Sequence, residues 1–160
     1  MDIIEATPSH LPTIIEMGEM LQNESKAYEP ELIFNYDKSY RHYANELSNP
    51  DARVIIAVVD KEIVGYQYSF VTVLDYLSSH NRECTLEALY VDPKFRNQGI
   101  GATLMREAVA WASDIMKVDR VKANIYSNNR PSASIHEKYG FAPYCTEYIK
   151  LINSNEPPRA

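Results

Sequence analysis

The sequence predicts a single domain of mixed α+β class, and three observations lead to this fold class. Apolar residues recur at helical spacing in two long stretches, from Leu11 to Leu21 and from Ile100 to Met116. Between these stretches lie three runs rich in β-branched and aromatic residues, which are typical of strands. The chain has 160 residues, 45% of them hydrophobic, which suffices for one core without disulfide bonds or metal ions. We therefore predict one domain over residues 1–152 and a frayed tail over 153–160.

The first third of the chain predicts a short strand followed by two helices. The strand is "DIIEA" at 2–6, and Thr7 and Pro8 behind it are suited to the start of a helix. The first helix carries the apolar positions 11–21, and a polar segment around 28–31 ends it. A second helix is predicted from about Asp37 to Leu47, because Asn49 and Pro50 follow.

The middle of the chain predicts three strands that follow one another closely. They are "RVIIAVVD" at 53–60, "IVGYQYSFVTVLDY" at 63–76 and "ECTLEALYV" at 83–91. The "DKE" sequence at 60–62 predicts a hairpin turn, and the polar "LSSHNR" at 77–82 separates the second and third strands. Because strands joined by such short connections pair side by side, we expect an antiparallel meander.

The last third of the chain returns to helical spacing and then alternates. A helix is predicted over 100–116, a strand at "RVKANIY" (120–126) and a short helix at "RPSASIHEKYG" (130–140), where Gly140 is suited to cap the end. The segment "FAPYCTEYIKLI" at 141–152 predicts a last strand or a bent pair of strands. The predicted order is β-α-α-β-β-β-α-β-α-β, with neither a repeat nor a linker.

Composition excludes several classes of protein. The net charge of −6 and the pI near 5.2 argue against a nucleic-acid-binding surface. The sequence shows neither a signal peptide nor an apolar run long enough for a membrane span, so we expect a cytoplasmic protein that does not bind membranes. Cys84 and Cys145 lie in apolar surroundings without the spacing of metal ligands. We interpret them as reduced thiols of the core and expect no bound metal.

The stretch "VDPKFRNQGIG" at 91–101 joins a predicted strand to a predicted helix through a turn with two glycines. Glycines at the start of a helix allow a phosphate to approach the free N–H groups of the first turn. Arg96 would add a charge and Gln98 a neutral donor, so the stretch suits a pyrophosphate. A dinucleotide-binding fingerprint requires a third glycine where Leu104 stands, and a Walker loop requires Gly-Lys-Ser/Thr. From the glycines alone, a simple strand-to-helix turn is as good an interpretation.

Two motifs together resemble a known family. The sequence "LEALYVDPKFRNQGIGATLM" is similar to the acetyl-CoA motif of the GCN5-related N-acetyltransferases (GNAT), a strand followed by R-x-x-G-x-G and a helix. The sequence "YSNNRPSASIHEKYGF" resembles the second motif of that family. The resemblance covers residues 53–150 in element order. It implies a mostly antiparallel, twisted sheet of six to seven strands with about four helices, splayed between the fourth and fifth strands.

The resemblance also implies where acetyl-CoA would bind as the acyl donor. The backbone of Leu89, Tyr90 and Val91 would hold the pantetheine arm, and Asn129 would contact this arm from the other side. Arg96 would lie beside the pyrophosphate. The pyrophosphate would bind to the N–H groups of Asn97, Gln98, Gly99, Ile100, Gly101 and Ala102.

Acetyl transfer requires a neutral amine, and alkyl amines have pKa values of about 10. A base is therefore expected, and Glu87 is the candidate, because related enzymes place a glutamate four residues before the position of Val91. An ion-paired carboxylate on the strand surface is the other interpretation. The family's usual general acid is a tyrosine, but His136 stands at that position. Tyr139 lies on the same helix, and the thiolate is a good enough leaving group that a dedicated acid is not required.

The acceptor is less well indicated by the sequence. Tyr28, Tyr36, Tyr40 and Tyr43 lie near the first two helices, where the fold places its acceptor lid. Such rings bind cations, but they are also ordinary packing residues. We expect direct acetyl transfer to a primary amine of a small molecule, such as a polyamine, an amino sugar or an amino-acid derivative. A protein lysine or N-terminus, or a non-catalytic acyl-CoA sensor, are the alternatives, and a homodimer is compatible with the resemblance.

Overall fold

The computed structural model of the protein describes residues 1–74 and 81–149. Within these ranges the strands are β1 (Asp2–Glu5), β2 (Ala52–Val59), β3 (Glu62–Val73), β4 (Arg82–Val91) and β5 (Arg120–Ala123). The helices are α1 (Leu11–Ser25), α2 (Tyr36–Glu46), α3 (Ile100–Ala110) and α4 (Arg130–Lys138). A 3-10 turn at Pro8–His10 precedes α1, and α3 continues as a π-helical turn over Trp111–Ile115. The predicted α+β class and the four predicted helices are confirmed.

The strands form one sheet in the order β1-β2-β3-β4-β5. The first four strands pair antiparallel, as the predicted meander requires, and β5 pairs parallel to β4. The β2–β3 hairpin turns at Asp60 and Lys61, which both have positive φ. The parallel pairing follows from the chain order, since α3 carries the chain from the end of β4 back to the beginning of β5.

The sheet separates two apolar layers. On one face α1 and α2 pack against tyrosines of the sheet, with Ile14 and Ile15 of α1 fully buried. On the other face α3 packs through Ile100, Leu104 and Met105. Leu104 and Met105 follow Ile100 by four and five residues, so the three side chains lie on the side of α3 that faces the sheet, as the sequence predicted.

The number of strands is smaller than the predicted six to seven. The described part of the chain has five, and β5 spans four residues rather than the predicted seven. Residues 141–149 are not in strand conformation, and Tyr144, Tyr148 and Ile149 on this segment are exposed. Their alternation with polar residues predicted a strand, but Pro143 lacks an N–H group for a ladder and no sheet neighbour is recorded for them. The expectations for 75–76, 77–80 and 150–160 lie outside the described residues.

The two cysteines predicted to be core thiols have opposite outcomes. Cys84 is fully buried, whereas Cys145 is exposed, so the prediction of two core thiols is wrong for Cys145. In the described ranges no helix is both long enough and apolar enough to cross a membrane.

Candidate active site

The sheet opens between β4 and β5, as the resemblance implied. Pairing between the two strands runs from Glu83 with Arg120 to Leu86 with Ala123 and then stops. Strand β4 continues for five more residues and remains paired with β3 as far as Val91. Residues 87–91 therefore present one strand edge that has no β5 partner.

The direction of the backbone groups identifies which residues of β4 face this opening. The N–H of Asp92 donates to Val64 of β3, and the carbonyl of Tyr90 lies against Gly65 of β3. Because these directions alternate along an antiparallel strand, the N–H and C=O groups of Leu89 and Val91 point away from β3. The geometry thus suits Leu89 and Val91 for binding in the opening, whereas the Tyr90 backbone faces β3.

The turn after β4 presents free N–H groups, as the glycine pattern predicted. Asn97 and Gly99 have φ of 62° and 81°, a left-handed conformation that glycine adopts without strain. Gly99 is the N-cap residue of α3, and no capping side chain bonds to the N–H groups of the first turn of this helix. Among the described residues, no protein acceptor is recorded for the N–H groups of residues 97–102. Several unpaired donors at the positive end of a helix are suited to an anion.

Arg96 adjoins this turn, but its guanidinium is held by other groups. Its Nε donates to the carbonyl of Val91 at 2.8 Å, and Nη2 forms a 2.6 Å ion pair with Glu24 of α1. The guanidinium also lies 5.6 Å from the centre of the Tyr90 ring. The predicted contact of Arg96 with phosphate would therefore compete with Glu24, and the backbone donors are the stronger candidates for that role.

Glu87 occupies an irregular position in β4. Tyr68 pairs with Ala88 and Ser69 pairs with Leu86, so Glu87 is an extra residue in a β-bulge. In a regular strand Glu87 would lie on the same face as Leu89 and Val91, which pack toward α3. The bulge instead turns Glu87 to the opposite face, where it lines a cleft together with Ala88. Regular alternation would not have predicted this orientation.

The cleft beside Glu87 has a volume of about 330 Å³ and is bounded by α1, α2, β3, β4 and the segment after β5. Its walls are aromatic, aliphatic and small polar side chains. They are Ile15, Gly18, Leu21, Gln22, Ser25, Leu32, Phe34, Ser39, His42, Tyr43, Tyr66, Tyr68, Glu87, Ala88 and Tyr126. A concave site that combines apolar surface with polar groups is suited to a small molecule.

Three tyrosines of the cleft are in contact, because the Tyr43 ring packs edge-on against the rings of Tyr66 and Tyr68. The hydroxyl of Tyr43 donates to that of Tyr66 at 3.3 Å, and Tyr68 donates to Glu46 at 3.0 Å. Burial raises the pKa of Tyr43 well above its usual value, and the neighbouring Tyr66, Tyr68 and Glu87 raise it further. Burial also raises the pKa of Tyr66 to about 12 and that of Tyr68, which Glu46 and Glu87 raise further. These hydroxyls therefore stay protonated at neutral pH, and Glu87 is the cleft carboxylate that can accept a proton.

The rim of the cleft is closed by a contact between two loops. Tyr28, after α1, stacks on Tyr126, after β5, with ring centres 5.4 Å apart. The Tyr126 hydroxyl donates to Glu29 at 2.6 Å. Burial and this hydrogen bond raise the pKa of Tyr126 to about 12. The loop after α1 and the loop after β5 therefore contact each other past the last pair between β4 and β5, which is Leu86 with Ala123.

The two candidate general acids at α4, His136 and Tyr139, differ in their exposure and contacts. His136 is 9% exposed, its Nδ1 lies 2.8 Å from the carbonyl of Ser132, and its ring packs edge-on against Phe141. Since a carbonyl only accepts, Nδ1 carries the proton, and Nε2 of the neutral ring has none to donate. Tyr139 is 39% exposed at the end of α4. The Asn129 side chain caps α4 by accepting from the N–H of Ser132 at 3.2 Å.

Sequence reasoning found only part of the cleft. Of the four tyrosines considered, Tyr43 lines the cleft and Tyr28 stacks over its rim, while Tyr36 and Tyr40 stack on each other at the surface. Tyr66, Tyr68, Tyr126 and His42 were missed. The alternation Tyr66-Gln67-Tyr68 would have placed two tyrosine side chains on one face of β3, but the sequence does not indicate which face the cleft uses.

Comparison with known proteins agrees with this architecture. A sequence model of the Acetyltransferase (GNAT) family matches residues 18–141. The L-amino acid N-acetyltransferase AaaT of Escherichia coli is 26% identical over 58% of this chain and 54% of its own length. Acetyltransferase PseH of Campylobacter jejuni is 24% identical over 69% of this chain and 64% of its own. The chain thus spans about half to two thirds of these curated relatives.

Solved structures share the fold at lower identity. The aminoglycoside antibiotic 6'-N-acetyltransferase AAC(6')-IG of Acinetobacter haemolyticus has a TM-score of 0.76 and 18% identity, over 96% of this chain and 100% of that one. The aminoglycoside N-acetyltransferase AAC(6')-Iy, solved with a bisubstrate analogue of CoA and acetylneamine, also has a TM-score of 0.76, with 20% identity over 94% and 97% of the two chains. The two motifs, the splayed sheet and the family match over residues 18–141 together show that this chain belongs to the GNAT acetyltransferase family.

Proposed function

We propose that this protein is an acetyl-CoA-dependent N-acetyltransferase that acts on a primary amine of a small molecule in a ternary complex. The observation that carries the proposal is the bulge that turns Glu87 into a cleft beside the open edge of β4. Along β4 and the turn that follows it, the chain then presents the carboxylate of Glu87, the unpaired strand edge at 87–91 and the free N–H groups of residues 97–102. The family relatives named as acetyltransferases, and the related structure with a CoA analogue, support the same donor.

The donor would bind through the backbone. The N–H groups of residues 97–102 would hold the pyrophosphate, and the carbonyl of Leu89 and the N–H of Val91 would bind the pantetheine arm. Asn129 caps α4 through its oxygen, which leaves its amide nitrogen for a contact from the other side. Arg96 would support the turn through Val91 and Glu24.

The acceptor amine would enter the cleft beside Glu87. Glu87 would take the proton from the ammonium, directly or through water, and the free amine would attack the thioester carbonyl. The N–H of Leu89 points into the opening and would stabilise the negative charge on the carbonyl oxygen. The C–S bond then breaks as the attacking nitrogen loses its extra proton to solvent, and the departing thiolate takes up a proton from solvent. The products are an N-acetylated amine and the CoA thiol.

We propose that the thiolate leaves without a dedicated acid from α4. The neutral form of His136 directs its one N–H to Ser132, so it has no proton for the sulfur. A thiol has a pKa of about 8.5, so its thiolate is a competent leaving group near neutral pH.

The proposal is tested by measuring thiol release from acetyl-CoA in the presence of small amines and of peptides with free lysines and N-termini. We expect turnover with small amines and mass-spectrometric detection of their N-acetylated products. Binding of acetyl-CoA without turnover of any acceptor would overturn the catalytic proposal, and turnover of peptides alone would overturn the choice of a small molecule.

A further inference from the structure

We infer that the acceptor is an amine that carries no carboxylate or phosphate next to its reactive nitrogen. This inference rests on the proposed acetyl transfer at Glu87 and adds the chemical class of the acceptor. It follows from the charges on and behind the cleft walls.

The cleft walls include a carboxylate but no permanent cation. Glu87 is the one acidic wall residue, and neither lysine nor arginine is among the wall residues in the described part of the chain. An amine with an adjacent carboxylate would bring that carboxylate close to Glu87 without a counter-charge. Like charges in a partly dehydrated site repel each other strongly.

Two more carboxylates lie directly behind the walls. Glu46 accepts the hydroxyl hydrogen of Tyr68 at 3.0 Å, and Glu29 accepts that of Tyr126 at 2.6 Å. The hydroxyl groups of these two wall tyrosines are therefore each polarised by a carboxylate. The resulting field stabilises an ammonium ion and disfavours an anion.

Three cations on neighbouring elements are already paired with carboxylates, whereas Lys26, Lys38 and Arg41 lie outside the cleft wall. Arg96 binds Glu24, and both Arg120 and Lys122 of β5 bind Glu83. Moving any of them to meet a substrate carboxylate would break an existing ion pair.

The cleft walls also indicate the size and polarity of the rest of the acceptor molecule, apart from its amine. Ile15, Leu21, Leu32 and Phe34 contribute apolar surface, and the rings of Tyr43 and Tyr66 meet edge to face at 6.0 Å. Aromatic rings attract an ammonium ion as well as apolar carbon. An alkyl or arylalkyl amine matches these surfaces, and a volume of about 330 Å³ limits it to a small one.

The test compares acceptors that differ only in the carboxylate: tyramine with tyrosine, and isopentylamine with leucine. We expect kcat/KM to be about 100-fold higher for each amine, as expected for like charges near 5 Å at an effective dielectric constant of about 20. Tyrosine methyl ester, which keeps the bulk but not the charge, should recover most of the activity. Equal or better use of the amino acids, or an ester as poor as tyrosine, would overturn the inference.

A matched pair of variants on α1 sharpens the test. Gln22→Arg introduces a cation into the cleft wall and should reduce the preference of tyramine over tyrosine about tenfold. Asn23→Arg adds the same charge one residue away, outside the wall, and should leave the preference unchanged. Equal effects of the two variants would contradict the inference.

Binding separates this inference from the proposed reaction. Calorimetric titration of the CoA-loaded protein should show tighter binding of tyramine than of tyrosine. If tyramine binds preferentially and no acceptor is acetylated, the proposed reaction is wrong, while the preference of the cleft for an amine without a carboxylate is upheld. If neither ligand binds, or if tyrosine binds as tightly as tyramine, the inference is wrong.

Discussion

Two glutamates four residues apart on β4 show how the opening of the sheet determines the use of a side chain. Glu83 lies where β4 and β5 are paired, its side chain is 3% exposed, and it binds both Arg120 and Lys122 of β5. Glu87 lies just past the last pair, Leu86 with Ala123, and is exposed to a cleft. The same residue type thus supports the sheet at one position and is free for chemistry at the other.

The charged groups around the two carboxylates also differ, and the difference agrees with a structural role for Glu83 and a chemical role for Glu87. Burial alone would raise the pKa of Glu83, but the hydrogen bonds and charges of Lys122 and Arg120 outweigh it and lower the pKa. Glu87 has tyrosines around it and no cation among the cleft walls. A permanently ionised, ion-paired carboxylate stabilises a fold, whereas a proton acceptor needs to be accessible.

The largest effect is expected at Glu87. Glu87→Gln keeps the shape of the side chain but removes the base, so kcat should fall by about 10²- to 10⁴-fold. The dissociation constant of acetyl-CoA and the unfolding midpoint should remain those of the wild type, because Glu87 makes no recorded ion pair within the described residues. If Glu87→Gln lost as much stability as a Glu83 variant, the distinction between a chemical role for Glu87 and a structural role for Glu83 would be wrong.

A similarly large effect is expected where β4 leads into the glycine turn. Gly101→Asp places a negative charge in the first turn of α3, close to the free N–H groups, and should weaken acetyl-CoA binding about 100-fold or more, measured by calorimetry. Gly101→Ala is the matched control. Its added Cβ would lie 3.6 Å from Val91 and 3.9 Å from Leu89, which is ordinary contact, so its effect on binding should be much smaller. Unchanged affinity in the aspartate variant would contradict the placement of the pyrophosphate.

The complementary change at Glu83 should affect stability and not chemistry. Glu83→Gln leaves Arg120 and Lys122 without their shared partner and should lower the free energy of unfolding by about 2–3 kcal/mol. Denaturant titration measures this loss. The kcat of the folded variant should stay within about threefold of the wild type, and a loss of kcat comparable to that of Glu87→Gln would refute the comparison.

The contribution of Glu83 should depend on pH in a defined direction. Its folded pKa is below the usual value of 4.5, so the unfolded state binds the proton more readily. The stabilisation is therefore complete above pH 4.5 and is lost as the pH falls through the lowered folded pKa. The difference in stability between wild type and Glu83→Gln should narrow below pH 4.5, and a difference that grows there would contradict the ion-pair account.

The smallest effect is expected on α4. His136→Phe and Tyr139→Phe should each retain kcat within about threefold, because neither side chain is proposed to protonate the thiolate. The double variant, assayed with saturating acetyl-CoA, extends the test. A drop of more than about 100-fold in either variant would identify that residue as the general acid.

The parts of the site that could be predicted from the sequence are those that depend on the backbone. The left-handed φ of Gly99 and the free N–H groups of the first turn of α3 restrict which residues fit there, so a short motif identifies them. Glu87 was a candidate base because it stands four residues before Val91, where related enzymes have a glutamate. The bulge that aims Glu87 could not be predicted, because it depends on how Tyr68 and Ser69 pair across two strands.

The acceptor cleft was less predictable because its walls come from five separate parts of the chain. Tyr126 becomes a wall residue only when the segment after β5 reaches Tyr28 and Glu29. Arg96 was expected beside phosphate, and only the packing of α1 shows that Glu24 binds it. Helices α1 and α3 were predictable from apolar spacing, and α2 and α4 from the residues that end them. The strand expected over 141–152 depended on a sheet neighbour that the local sequence does not reveal.

The central claim is that Glu87 removes a proton from the acceptor ammonium, and the pH dependence of one variant tests it most directly. Wild type and Glu87→Gln are compared with tyramine, or the best amine of the panel, at saturating acetyl-CoA from pH 7 to 10. Free amine becomes abundant near its pKa of about 10, so the need for a base disappears. We predict that the variant's kcat/KM deficit of about 10²- to 10⁴-fold at pH 7 shrinks steadily as the pH rises. A deficit that stays constant across this range would contradict the role of Glu87 as the base.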